Sequence, residues 1–284
     1  AAVRGSNKQS TKEKESEPLF AFGSHDANGN QNMWSMYESK DDLSDAKALS
    51  MNDLPALVDE KKQLSISEPL VVCVYSPKGG VGKTAAAVNF AYLAAANGLK
   101  TLVWDLDPQG SSSFYFRVKN EKNESKKIFA AEVDIKEAIQ DSVFENLWVI
   151  PADMSARNVD LIFGEAKQSK KRLKSLLGGL KGFDVLVLDC PPGISLLHDN
   201  IFNAADYVLM PNIPTILSIR SYETVVEYFK ENELDKSKIK CFFSMVDHRK
   251  TLHHETLQAF YNNKIFFKNY LFYCLHTYML PHAW

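Results

Sequence analysis

Between the apolar run Leu70-Val71-Val72-Cys73-Val74-Tyr75 and an alanine-rich stretch opening at Thr84, the chain carries Pro77-Lys78-Gly79-Gly80-Val81-Gly82-Lys83-Thr84. No other feature restricts the fold as much. The short β-branched run before the loop reads as a buried parallel strand. Thr84 to Asn97, with Val88, Phe90 and Leu93 among its alanines and Gly98 at its end, reads as a helix with a glycine stop. Thr101-Leu102-Val103-Trp104-Asp105-Leu106-Asp107, ended by Pro108, reads as a second strand. Strand, loop, helix and strand in this order make a βαβ unit.

The composition of the loop points to an anionic ligand. Phosphates need many donors at close range, and Gly79, Gly80 and Gly82 let the backbone turn and approach. The N–H groups opening the next helix, from Thr84 and Ala85 onward, aim at the same place. Lys83 supplies a point charge suited to β- and γ-phosphates, and Thr84 a hydroxyl suited to Mg²⁺. The strict pattern G-x-x-x-x-G-K-[ST] is not met, because Pro77 stands where the first glycine belongs and a second lysine, Lys78, begins the loop. A chance Gly/Lys-rich turn is disfavoured by the strand before it and the helix after it.

Two acidic strand ends accompany the loop. Asp105 and Asp107 are two apart in an extended run, which places both side chains on one face. Ligands of open α/β sheets sit beyond the carboxyl ends of the strands. Asp107 at that edge is suited to orienting a water or holding Mg²⁺ through water, while Asp105 reads equally as a supporting acid or a strand cap. Asp189 closes Asp184-Val185-Leu186-Val187-Leu188-Asp189 and precedes Cys190-Pro191-Pro192-Gly193, an acid after hydrophobes in the Walker B manner that positions Mg²⁺.

The remaining pattern extends the α/β texture. Strands are expected at Leu147–Ile150, Tyr207–Met210 and Ile239–Met245, and helices over Asn158–Leu180 and around Tyr222–Glu231; residues 115–145 read as a helix and loops. Alternation of this kind implies an α/β fold with a mostly parallel sheet flanked by helices on both faces. Residues 1–68 are polar and lean acidic, and read as a mostly disordered extension with marginal helices near 41–49 and 54–62. A net charge of −2 gives no global attraction to nucleic acid, so any DNA contact must be local or belong to an assembly. The four cysteines have no metal-ligand spacing, the N-terminus has no apolar signal core and no apolar run is long enough to span a bilayer, so a cytoplasmic setting is expected.

These residues resemble the ParA/MinD family of deviant Walker ATPases. The likeness lies in Lys78-Gly79-Gly80-Val81-Gly82-Lys83-Thr84, in Asp105-Leu106-Asp107-Pro108-Gln109-Gly110 and in Leu188-Asp189-Cys190-Pro191-Pro192-Gly193. Weaker echoes are Ile150-Pro151-Ala152, Asn203 to Pro211, and Met245-Val246-Asp247. The Asp-Pro-Gln-Gly element is more like the ParA branch. The resemblance spans residues 69–268 as a P-loop ATPase domain and implies a slow, partner-stimulated hydrolysis of ATP with Mg²⁺. It implies that Lys78 reaches across an ATP-sandwiched homodimer, that Gly79, Gly80, Val81, Gly82, Lys83, Thr84 and Ala85 hold phosphate, and that Lys78 and Asp107 are catalytic. Thr84, Asp107 and Asp189 are the implied metal residues, and Pro211 and Met245 the adenine contacts. It further implies nonspecific DNA binding by the dimer, a ParB-like or other stimulating partner, nucleoid association, and the partition of a plasmid, chromosome or other cargo.

Two segments depart from that family. The N-terminal extension has no basic face and does not read as a helix-turn-helix. Residues 269–284 form an aromatic tail where the family continues differently, which reads as truncated or frameshifted, or else as a short ending packed as core. Other readings compete. A ParA-like accessory of a surface-polysaccharide (cellulose) secretion system would use the extension for docking and need no DNA. Tyr261, Tyr270, Tyr273 and Tyr278 are expected in packing rather than as kinase-type tyrosines. His248, His253 and His254 are expected at a solvated helix start. Arg249 with Lys250, and Lys170, Lys171, Arg172 and Lys174, read as exposed basic faces with DNA contact as the alternative.

Overall fold

The computed structural model describes residues 68–119, 125–155, 159–160, 169–247 and 249–260. All of them belong to the unit Asp45–Trp284. The extension with its marginal helices, His248, and the tail with its four tyrosines and the run Lys264 to Lys268 lie outside the described residues.

A seven-stranded sheet with strand order β3-β4-β2-β5-β1-β6-β7 organises the described residues. The strands are β1 Leu70–Val74, β2 Thr101–Asp105, β3 Gln140–Asp141, β4 Leu147–Ile150, β5 Val185–Asp189, β6 Tyr207–Asn212 and β7 Ile239–Phe243. Every neighbouring pair is parallel except β3 with β4. In β1, β2 and β5 every residue is buried. Successive side chains of a strand point to opposite faces, so both faces of this central part are covered.

The helices are α1 Lys83–Ala96, α2 Ser111–Tyr115, α3 Ser125–Ala130, α4 Arg172–Leu177, α5 Leu196–Ala204, α6 Ile216–Glu231 and α7 Thr251–Phe260. Helix α1 packs on β1, β2 and β5. Its inward side is Ala86, Ala87, Ala91, Ala94 and Ala95, small enough to bring the helix close over Val72, Val74, Val103 and Val187. Gly98 takes φ +81° and stops it, as expected. Helix α5 packs by Phe202, whose ring meets Tyr75 edge-on at 4.9 Å and Phe229 of α6 at the same distance.

Several expectations change. Strand β2 ends at Asp105, two residues early, because Leu106 and Asp107 already belong to the turn into α2. The single helix expected over Asn158–Leu180 is not one regular rod where it is described: Ser169–Lys171 is a 3₁₀ turn leading into the six-residue α4. Helix α5 and strand β3 have no counterpart in the sequence reading, and α6 starts six residues earlier than Tyr222. His253 is not solvated: it is 3 % exposed and its Nδ1 accepts the Asp247 N–H at 3.0 Å.

Registry levels the ends of the three central strands. Val74 pairs with Asp189, and Asp189 with Asp105, so the segments that follow β1, β2 and β5 leave the sheet side by side. Cys73, Cys190 and Cys241 are buried free thiols inside this framework.

Candidate functional site

The loop after β1 curves through two left-handed glycines, Gly80 at φ +72° and Gly82 at φ +90°. A Cβ built on Gly79 or Gly80 would meet nothing within 4 Å, so the loop is open on that side. Gly82 is the N-cap of α1 and has no side chain to bond the first helical N–H groups. Those donors receive no side-chain cap, at the positive end of a fourteen-residue helix.

Lys83 is 8 % exposed, and its Nζ donates to the Lys78 carbonyl at 2.8 Å. Burial lowers the pKa of its ammonium, and the nearby carboxylates of Asp189 and Asp107 act the other way. The bond ties the second lysine of the loop to the backbone of the first. The Lys78 N–H is donated to Ser76 Oγ at 3.4 Å.

Asp189 is 0 % exposed, and neither of its carboxylate oxygens accepts a hydrogen bond among the described residues. Burial first, and then the charge of Asp105, push its pKa up to about 7; the hydroxyls of Thr84 and Ser112, near the carboxylate but short of hydrogen-bond geometry, oppose the shift. Ser112 Oγ is itself buried and unpartnered among the described residues. A buried carboxylate without a donor is costly in a folded chain, and such a group marks a place where a ligand or ion completes the set. The group that suits an orphaned carboxylate beside a threonine hydroxyl is a hard cation with oxygen ligands. Among the described residues no cluster of three or more His, Cys, Asp or Glu makes an all-protein metal cage. Mg²⁺ in phosphate sites needs only one or two carboxylates, the rest being phosphate and water, so the residues present fit it.

Asp105 has a different fate. Its Oδ2 accepts the Ser113 N–H at 2.8 Å and the Ser113 hydroxyl at 2.7 Å, and Ser113 Oγ in turn accepts the Ala152 N–H at 2.9 Å. These bonds lower the pKa that burial raises. Asp105 therefore holds the start of α2 and the segment after β4 at the edge of the site. Asp107, outside the strand, is half-buried; its Oδ1 accepts the Gln109 N–H at 3.0 Å in an Asx turn. Placement on one strand face does not apply to it: the turn, not the pleat, aims it.

Met245 comes to the loop, its Cε 3.6 Å from where a Cβ on Gly82 would lie, whereas Pro211 is buried within β6 opposite Phe242. The sequence reading missed Ser113, which the serine triplet after Asp107-Pro108-Gln109-Gly110 could have signalled, and Ser244, which carries no signal. The basic run is half consumed internally: Lys170 bonds Asn232 Oδ1 at 3.1 Å and pairs with Asp199 at 3.4 Å, and Arg172 donates to the carbonyls of Phe129 and Ala130. Arg249 grips both oxygens of Asp247.

A glycine loop leading from β1 into a helix N-terminus, with a lysine and a strand-end acid beside it, defines a P-loop nucleotide-binding domain on a mostly parallel sheet. The chain belongs to the AAA domain family (AAA_31), whose model matches residues 70–241. It is 34% identical over 147 residues to the chromosome partitioning protein ParA of Myxococcus xanthus, covering 50% of this chain and 51% of that one. It is 30% identical over 200 residues to the chromosome-partitioning ATPase Soj of Treponema pallidum, covering 66% and 78% respectively. A plasmid partition protein from Borrelia burgdorferi B31, solved bound to AMPPNP, superposes with a TM-score of 0.63 at 25% identity over 72% of this chain and 86% of that one. The family resemblance and the fold class expected from the sequence are thus borne out. The chain spans about half the length of the first curated relatives it matches, 51% and 57%. No helix among the described residues is long and apolar enough to cross a membrane.

Proposed function

We propose that this chain binds ATP with Mg²⁺ and hydrolyses it as a dimerising switch that partitions DNA or positions another intracellular cargo. The observation that carries the reading is Asp189, a fully buried carboxylate with no partner among the described residues, at the edge of an open glycine loop. Backbone N–H groups of residues 79–85 bind the phosphates, and Lys83 neutralises charge there. Thr84 and Asp189 hold Mg²⁺, with Asp107 acting through water. When bound, Mg²⁺ neutralises phosphate charge and orients the terminal phosphoryl group. Asp107 orients the attacking water from its turn. Met245 borders the base, and Pro211 of β6 is the second adenine contact.

The partner's copy of Lys78 enters the same site in the ATP-bound homodimer. A ParB-like or other partner stimulates turnover, and the dimer combines two modest basic surfaces into one that holds nonspecific DNA. On this reading the chain works in the cytoplasm, associated with the nucleoid. Relatives named for chromosome and plasmid partition support the reading. The test is equilibrium binding of ATP with and without Mg²⁺, followed by phosphate release and by sizing of the ATP-bound species. Micromolar, Mg²⁺-dependent binding is expected; a chain that fails to bind ATP would remove the proposal.

A further inference from the structure

The loop's orientation is set from beyond the edge strand β7, two strands away from β1. Ser244, just beyond β7, is 3 % exposed and donates its hydroxyl hydrogen to the Val81 carbonyl at 2.7 Å, across 163 residues of sequence. Its own N–H goes to the Asn212 carbonyl at 2.8 Å, so Ser244 is fastened to the end of β6. The next residue, Met245, takes the left-handed conformation at φ +53°, sparsely populated by side-chain-bearing residues, and lays its methyl against Gly82.

We propose that Ser244 is a positioning residue for the nucleotide site, which aims the Gly82 N–H by holding the Val81 carbonyl. The inference rests on the reading that residues 79–85 bind phosphate. The Val81 carbonyl and the Gly82 N–H belong to one planar trans peptide and point in opposite directions. Fixing the carbonyl toward Ser244 therefore fixes the N–H away from it. The need for a brace comes from the glycine itself. Gly82 at φ +90° has no Cβ to oppose rotation of that peptide, so the freedom that lets the loop curve also lets the peptide flip. Without the hydroxyl, the buried Val81 carbonyl would lose its donor and turn to find another, carrying the Gly82 N–H out of line.

The test uses the full chain and a fluorescent ATP analogue with Mg²⁺, in wild type, Ser244→Ala and Ser244→Thr. Ser244→Ala should weaken binding about five- to ten-fold, the loss of one well-made hydrogen bond. Ser244→Thr, which keeps the hydroxyl, should bind within about two-fold of wild type. The same loss should appear with inorganic tripolyphosphate, since the displaced donor faces phosphate and not base. Thermal midpoints of the nucleotide-free variants identify any general loss of folding. Binding by Ser244→Ala within two-fold of wild type overturns the inference, as does an equal loss in both variants or a loss matched by a lowered midpoint. Failure of the wild type to bind either ligand would instead overturn the nucleotide reading beneath it.

Discussion

Asp105 and Asp189 stand opposite each other at the ends of adjacent parallel strands, yet only Asp105 is satisfied. The same residue type, at the same level of one sheet, is hydrogen-bonded in one strand and without a partner among the described residues in the next. Ser113 makes the difference, because α2 brings its N–H and hydroxyl to Asp105 alone.

The unpaired carboxylate makes the nucleotide-free chain pH-sensitive. Asp189 titrates at about 7 when folded, against 3.8 for a free side chain. Between those values the folded state holds the extra proton, so stability falls as pH rises through the window and levels off above 7. The full effect is on the order of 4 kcal/mol at most, from about 1.4 kcal/mol per unit. Asp189→Asn should flatten this slope. Urea unfolding of both proteins at the two ends of the window measures it, and parallel curves would contradict the assignment.

Asp105→Ala should destabilise the fold by about 2–4 kcal/mol, since it strips the donors of Ser113 of a buried charged acceptor. The loss should be visible without any nucleotide. A variant as stable as wild type in denaturant titration would show that the Ser113 bonds carry no weight.

Asp107→Ala leaves the fold and the phosphate loop intact, because Asp107 only closes a short turn. Under the proposed function it should bind ATP normally and lose phosphate release by about a hundred-fold or more. Normal turnover in that variant would exclude Asp107 as the acid that orients water.

Lys78→Ala removes a side chain but keeps the carbonyl that Lys83 uses. ATP affinity of the monomer should change little, while the ATP-dependent dimer disappears. Light scattering with and without ATP decides this; a dimer that persists would show that Lys78 does not bridge two copies.

DNA binding should depend on both ATP and salt. Affinity should fall as a power of salt concentration, by a slope near −0.9 for each phosphate neutralised. Filter binding across a salt series reads the slope. No DNA binding in the presence of ATP would favour an accessory role that needs no DNA, and a nucleotide-independent or salt-insensitive signal would contradict the ATP-dependent switch.

Much of this was legible in the chain because it is written locally. A β-branched run, three glycines and an alanine-rich stretch are neighbours in sequence, so Leu70–Val74, the loop and Lys83–Ala96 follow from propensity and sterics. The apolar run ending in Asp189 is equally local. Helix α5 was hidden because it buries polar His198, Asp199 and Asn200 along with its apolar face, which blurs the helical period. His253 was misread for a related reason: its burial depends on the segment after β7 folding back to offer the Asp247 N–H.

The sequence by itself determined that there is a P-loop, where it lies and which lysines and acids accompany it. Only the tertiary structure decided which of those acids are already used, and what holds the loop in shape. Asp105 owes its role to Ser113, which the turn after β2 brings back onto it, Asp189 to a strand register that leaves it without a donor among the described residues, and Ser244 to a partner far away in the chain. A hydrogen bond such as that from Ser244 to Val81 spans 163 residues, and no local periodicity can encode it.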